Sequence, residues 1–187
     1  MAIVAGLLTQ QTGERITSMI PLTDIVIRPI RPEDEPLMVR FHATLSERSV
    51  YLRYFHLLPF ETRISHERLA RICFVDHDRE IALVAERMDP ATGQREVLAV
   101  GRVSKSEQAN EAEFAVLISD MFHGHGLGTE LLKRLLEMAR AAGINRLTGD
   151  ILGENRHMID ICRQLGFSLK YAGDGLVKAA LEIHAPA

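Results

Sequence analysis

Ile118-Ser119-Asp120-Met121-Phe122-His123-Gly124-His125-Gly126-Leu127-Gly128-Thr129 decides the fold of this chain. Three glycines alternate in it, just after an apolar run and just before residues with helical spacing. Glycine admits positive φ and removes the side chain that keeps other groups at a distance. A helix starting there offers unpaired N–H groups and about half a positive charge, a setting suited to a pyrophosphate. Taken alone, the glycines are also accounted for by a tight strand-to-helix turn. The stretch is not a P-loop, because no Lys-Ser or Lys-Thr pair follows the last glycine, and no βαβ unit opens on it as the dinucleotide-binding fingerprint requires.

Before the loop, residues 113–119 (EFAVLIS) are apolar through their centre and predict a strand buried on both faces. Residues 80–87 and 96–103 predict two more strands, joined by Met88-Asp89-Pro90-Ala91-Thr92-Gly93, which has turn composition. Residues 24–30 alternate as a short strand, and 33–45, 47–57 and 66–73 have helical spacing, the last with Ser65 as its N-cap. After the loop, Leu127, Leu131, Leu135 and their neighbours Leu132, Leu136 and Ala139 form the apolar stripe of a helix over 129–142, stopped by Gly143. A strand over 146–152, a helix over 155–164 stopped by Gly166, and two closing strands follow. This order predicts an α/β protein with a mixed sheet. Residues 1–22 lack periodicity and are expected to be a flexible extension, leaving 23–187 as one domain.

With 22 Lys and Arg against 25 Asp and Glu, the formal charge of −3 gives no electrostatic footprint for nucleic acid. Two cysteines, Cys73 and Cys162, are too few for a disulfide framework and point to reduced thiols in a cytoplasmic protein. The apolar opening has no basic segment ahead of it, and no run approaches the ~20 apolar residues of a membrane span. No membrane partner is expected.

The loop resembles motif A of the GNAT superfamily of N-acetyltransferases, which reads Arg/Gln-x-x-Gly-x-Gly/Ala. Gly126 and Gly128 fill its glycine positions, and His123 stands where Arg or Gln is usual. Residues 155–167 (NRHMIDICRQLGF) look like motif B, with a leading Asn and a closing Leu-Gly-Phe. Within the superfamily, Ala112-Glu113-Phe114-Ala115-Val116-Leu117 is similar to the acetyltransferase domain of bacterial protein-lysine acetyltransferases, as are Arg28-Pro29-Ile30 and Asp78-Arg79-Glu80. The resemblance implies a GNAT-like, mostly antiparallel sheet of about six to seven strands flanked by helices. It implies acetyl-CoA as co-substrate and an amine acceptor, a protein lysine side chain first and a small amine as the alternative. Val116, Leu117 and Ile118 would run beside the pantetheine arm. His123, Gly124, His125, Gly126, Leu127, Gly128 and Thr129 would surround the pyrophosphate, and Asn155 would lie near the reactive arm. The domain is expected to act as a monomer or homodimer.

Transfer to an amine needs a base, because a lysine of pKa ~10.4 is almost wholly protonated at neutral pH and only the neutral form attacks a thioester. Glu113 matches the glutamate that the lysine acetyltransferases use. Burial among Phe114 and Val116 would have to raise its basicity; the other reading is an ordinary exposed strand carboxylate. Where many members carry a motif B tyrosine this chain has Cys162, whose thiol of pKa ~8.5 could donate a proton but which is more commonly a buried small hydrophobe, so the acid is left unassigned. His123 in place of Arg or Gln and Cys162 in place of Tyr also keep open a catalytically weak acetyl-CoA sensor. His123 and His125 beside Asp120 lack any further ligands at zinc spacing, and no metal is expected.

Overall fold

The structure is a computed structural model and describes residues 24–106 and 110–183. The extension expected over residues 1–22 lies outside the described residues. The rest follows the chain order read above, with strands β1 (Val26–Pro29), β2 (Glu80–Met88), β3 (Arg95–Lys105), β4 (Glu111–Ile118), β5 (Arg146–Leu152), β6 (Ser168–Gly173) and β7 (Leu176–Glu182). They form one seven-stranded sheet in the order β1-β2-β3-β4-β5-β7-β6. All its pairings are antiparallel except β4 with β5.

The helices are α1 (Glu35–Ala43), α2 (Glu47–Tyr54), α3 (Phe60–Arg63), α4 (His66–Cys73), α5 (Leu127–Ala141) and α6 (Arg156–Gln164). The strands alternate their side chains between two apolar cores. In one core Leu127, Leu131, Leu132 and Leu135 of α5 meet Leu98, Val103, Phe114 and Val116. In the other Leu37, Met38 and Phe41 of α1 and Leu69 of α4 meet Val84, Val97 and Leu117.

Several boundaries differ from the sequence expectation for local reasons. The helix expected from residue 33 begins as a 3₁₀ turn at Pro32–Asp34, and α1 starts at Glu35 with Pro36 in its first turn, where a missing N–H costs nothing. The helix expected to reach residue 57 stops at Tyr54, because Phe55 takes left-handed backbone with φ 63°. The single turn α3 was not anticipated. Ser65 holds the N-cap position of α4, yet its hydroxyl donates to Thr62 O at 3.1 Å instead of capping. Strand β4 is not buried on both faces throughout, since Glu113 is exposed.

Candidate active site

Strands β4 and β5 touch only at Glu111, Ala112 and Glu113, opposite Arg146, Leu147 and Thr148. β4 runs on to Ile118 and β5 to Leu152, so the sheet forks after Glu113. Hydrogen-bond phase fixes which backbone groups face the fork. Ser119 N donates to Leu98 O at 2.8 Å, and in an antiparallel pair the bonded residues alternate. Leu117 and Ala115 therefore bond to β3, while the N–H and C=O of Val116 and Ile118 point into the gap. Backbone groups in such a place need partners. One of them has an internal partner: His123 Nε2 lies 3.1 Å from Ile118 O, which it reaches only as an N–H donor.

The fork opens into a cleft of about 640 Å³ between β4, the glycine loop, α2 and the start of α6. Gly124 and Gly126 have φ of 79° and 80°, a conformation that glycine takes without strain, and it is their turn that aims the first amides of α5 at the cleft. At Gly128 the constraint is proximity: an added Cβ would stand 2.8 Å from Ile118 Cδ1 and 3.0 Å from Ile161 Cδ1. The glycines thus meet the needs of a tight turn and of close packing beside the cleft.

Asp120 ties this loop to α2. Its carboxylate accepts from Ser49 Oγ at 2.7 Å and from Ser46 N at 3.1 Å. Burial works against its ionisation, but the bonds from Ser46 and Ser49 outweigh it and hold the group below the usual carboxylate range. Arg48 of α2 reaches Glu154, before α6, at 3.4 Å, and both residues line the cleft. Asn155 caps α6 by accepting from Met158 N at 3.2 Å and also lines the cleft.

Of the residues expected at the cofactor, Val116, Leu117, Ile118, His123, Gly124, Gly126, Leu127, Gly128, Thr129 and Asn155 all line the cleft. His125 does not; its Nδ1 is 2.9 Å from His123 O, so it braces the loop. Glu113 is exposed at the fork and does not line the cleft. The burial among Phe114 and Val116 that a strengthened base would need is absent, because those side chains occupy the opposite face of β4. Cys162 is fully buried, outside the cleft, and its thiol is pushed up to about 12 by burial, so it is unfit to donate a proton there. What the sequence reading missed is that Arg53 of α2 lines both the cleft and a second, smaller pocket.

A family model described as an acetyltransferase (GNAT) domain matches residues 24–168. The chain belongs to the GNAT acetyltransferases. Acetyl-CoA is the co-substrate of this family. This GNAT domain is 29% identical over 143 residues to an acetyltransferase of Pseudomonas aeruginosa, covering 76% of the chain and 74% of that protein. It is 28% identical to the acetyltransferase Pat of Mycolicibacterium smegmatis, covering 75% of the chain but 40% of that longer protein. Among solved structures, the GNAT domain of S. lividans PAT superposes with a TM-score of 0.72 at 28% identity, over 83% of this chain and 89% of that one. A shorter match, 39% identical over 57 residues, links 30% of the chain with 33% of an L-methionine sulfoximine/L-methionine sulfone acetyltransferase of Pseudomonas aeruginosa.

Proposed function

We propose that this GNAT domain transfers acetyl from acetyl-CoA to a primary amine by direct attack in a ternary complex, with Glu113 as the general base. The observation that carries the reading is the fork: a β4 edge with unpaired backbone groups leads straight to the first amides of α5. Acetyl-CoA, when bound, supplies an activated acetyl thioester. Val116, through its N–H and C=O, and Ile118, through its N–H, are placed to hold an extended amide-bearing arm as a neighbouring strand would. The amides of residues 124–129 are placed to hold a diphosphate, supported by the α5 dipole. Glu113 stands at the end of the fork on the face shared with Ala115 and Leu117, and takes the ammonium proton directly or through water. Solvent exposure leaves it open to either route, without the burial among Phe114 and Val116 that would strengthen it as a base.

For the acceptor, the protein-lysine reading rests on the resemblance of residues 112–117 to lysine acetyltransferases. The alternative, a small amine of amino-acid type, is favoured by the pocket beyond Arg53 and by the short match to an enzyme named for methionine derivatives. Calorimetric titration with acetyl-CoA, paired with thiol release over lysine peptides and small amines, tests the proposal. Saturable binding with turnover of at least one amine is expected. Binding without turnover of any amine would favour the sensor, and absence of binding would overturn the assignment of the cleft.

A further inference from the structure

Beyond Arg53 and Leu117, which belong to both, the cleft adjoins a pocket of about 330 Å³ on the α1 and α4 side of the sheet. Arg53, Arg68, Arg71 and Arg102 line it, with Tyr54 and His42. Arg102 is paired with Glu80 and donates to Ile72 O at 2.6 Å, and Arg71 reaches Glu67 at 3.4 Å. Among the described residues neither Arg53 nor Arg68 forms a salt bridge, although the Glu113 charge acts on Arg53, and each guanidinium sits 5.0 Å from the centroid of the same Tyr54 ring. The ring face draws each cation to it while the two like charges repel, a repulsion that a shared anion would relieve.

A second observation is independent of the arginines. His42 is 1% exposed, lines this pocket, and has both ring nitrogens without a hydrogen-bond partner. The Nε of Arg68 is also buried and unpartnered. Buried polar groups in this condition are costly and call for a partner that a ligand or water can supply.

We infer that this pocket binds a carboxylate carried by the acceptor itself, so that the substrate is a small amino acid. The inference rests on the acetyl-transfer reading, since the pocket matters only if an amine attacks at the adjoining fork. Arg53 and Arg68 offer planar N–H forks that match a carboxylate, and neutral His42 adds a donor without further charge. The small volume suits a free amino acid. Because Arg53 and Leu117 line both spaces and Ala115 of β4 lines the pocket as well, a molecule held there by its carboxylate lies beside β4.

The test measures thiol release at saturating acetyl-CoA for the common L-amino acids and for their α-amides. At least one acid should exceed its own amide by tenfold or more in kcat/KM. Arg68→Gln should raise KM for that acid about ten- to hundredfold, as loss of a charged hydrogen bond does, and leave KM for the amide unchanged. Arg53→Gln, checked for folding by circular dichroism, should act in the same direction. Amides turned over as well as acids, no acid turned over, or a preference that survives in both folded variants would each overturn the inference. Acetylation of an amidated lysine peptide alongside any of these results would leave the acetyltransferase reading standing, whereas absence of acetyl-CoA binding would remove both.

Discussion

Glu113 and Thr148 face each other at the last position where β4 and β5 are joined. On one side of that pair the sheet is continuous, with Thr148 Oγ1 donating to Ala112 O at 3.3 Å. On the other side the strands separate and the backbone of Val116 points into the gap. The proposed base therefore stands where the fold changes from sheet to cleft.

Gly126 tests the anion seat. It has φ 80° and precedes the first amides of α5. Gly126→Asp should weaken acetyl-CoA binding by more than about tenfold, through bulk and like-charge repulsion against a diphosphate. Gly126→Asn tolerates the same backbone conformation without the charge and should lose less. Titration calorimetry on both folded variants separates the two effects, and equal losses would mean that charge plays no part.

Gly149 of β5 lies under Phe114 of β4 just past the fork. A Cβ built there would come within 2.5 Å of the Phe114 ring, which itself packs edge-on against Phe167 with centroids 5.2 Å apart. Gly149→Ala should destabilise the protein by about 1–3 kcal/mol, the range for overpacking a well-filled core. Urea unfolding gives the value, and no loss would show that the ring moves aside freely.

The elements read from local pattern were legible because their signals are local. The β5 strand and α4 have the bounds that periodicity gave, and Gly143 and Gly166 take left-handed backbone, with φ 73° and 85°, as expected of helix stops. The cleft-lining residues were legible too, because one loop and one helix start supply most of them. The fork was not, since β4 and β5 are separated by the whole of α5 and only their register reveals where they part. The cationic pocket was equally hidden: Arg53, Arg68 and Arg102 come from α2, α4 and β3. For Glu113 the sequence left burial and exposure both open, and strand alternation settles it by putting its apolar neighbours on the other face.

Cys162 gives a prediction about what is not chemistry. It is 0% exposed and does not line the cleft. Cys162→Ser should leave kcat within a few-fold of wild type and cost about 1–3 kcal/mol, because a buried hydroxyl there needs a partner it lacks. A fall in kcat of more than about a hundredfold with stability preserved would restore the thiol as general acid.

His42 predicts a pH dependence of stability. Burial, aided by the nearby Arg63 and Arg68 charges, lowers its pKa from 6.5 to about 4. As pH falls from 6.5 toward 4 the unfolded chain takes up the proton before the folded one, so this contribution is complete above 6.5 and is lost on acidification. The slope due to this residue is at most about 1.4 kcal/mol per pH unit. Urea unfolding across this range should show a shallower slope in His42→Leu than in wild type, whatever the variant's absolute stability. Identical slopes would show that the imidazole is not buried in its neutral form.

The central claim is that amines are acetylated at the fork with Glu113 taking the proton, and Glu113→Gln tests it most directly. The substitution keeps the shape of the side chain and removes its ability to accept. Acetyl-CoA affinity and kcat should be measured together on wild type and variant, with the amine that wild type turns over best. The account predicts unchanged affinity and a kcat lower by about 10²–10⁴, the range for loss of a general base, with partial recovery at higher pH as more of the amine becomes neutral without help. A Glu113→Gln enzyme that binds acetyl-CoA and acetylates that amine at the wild-type rate would contradict it.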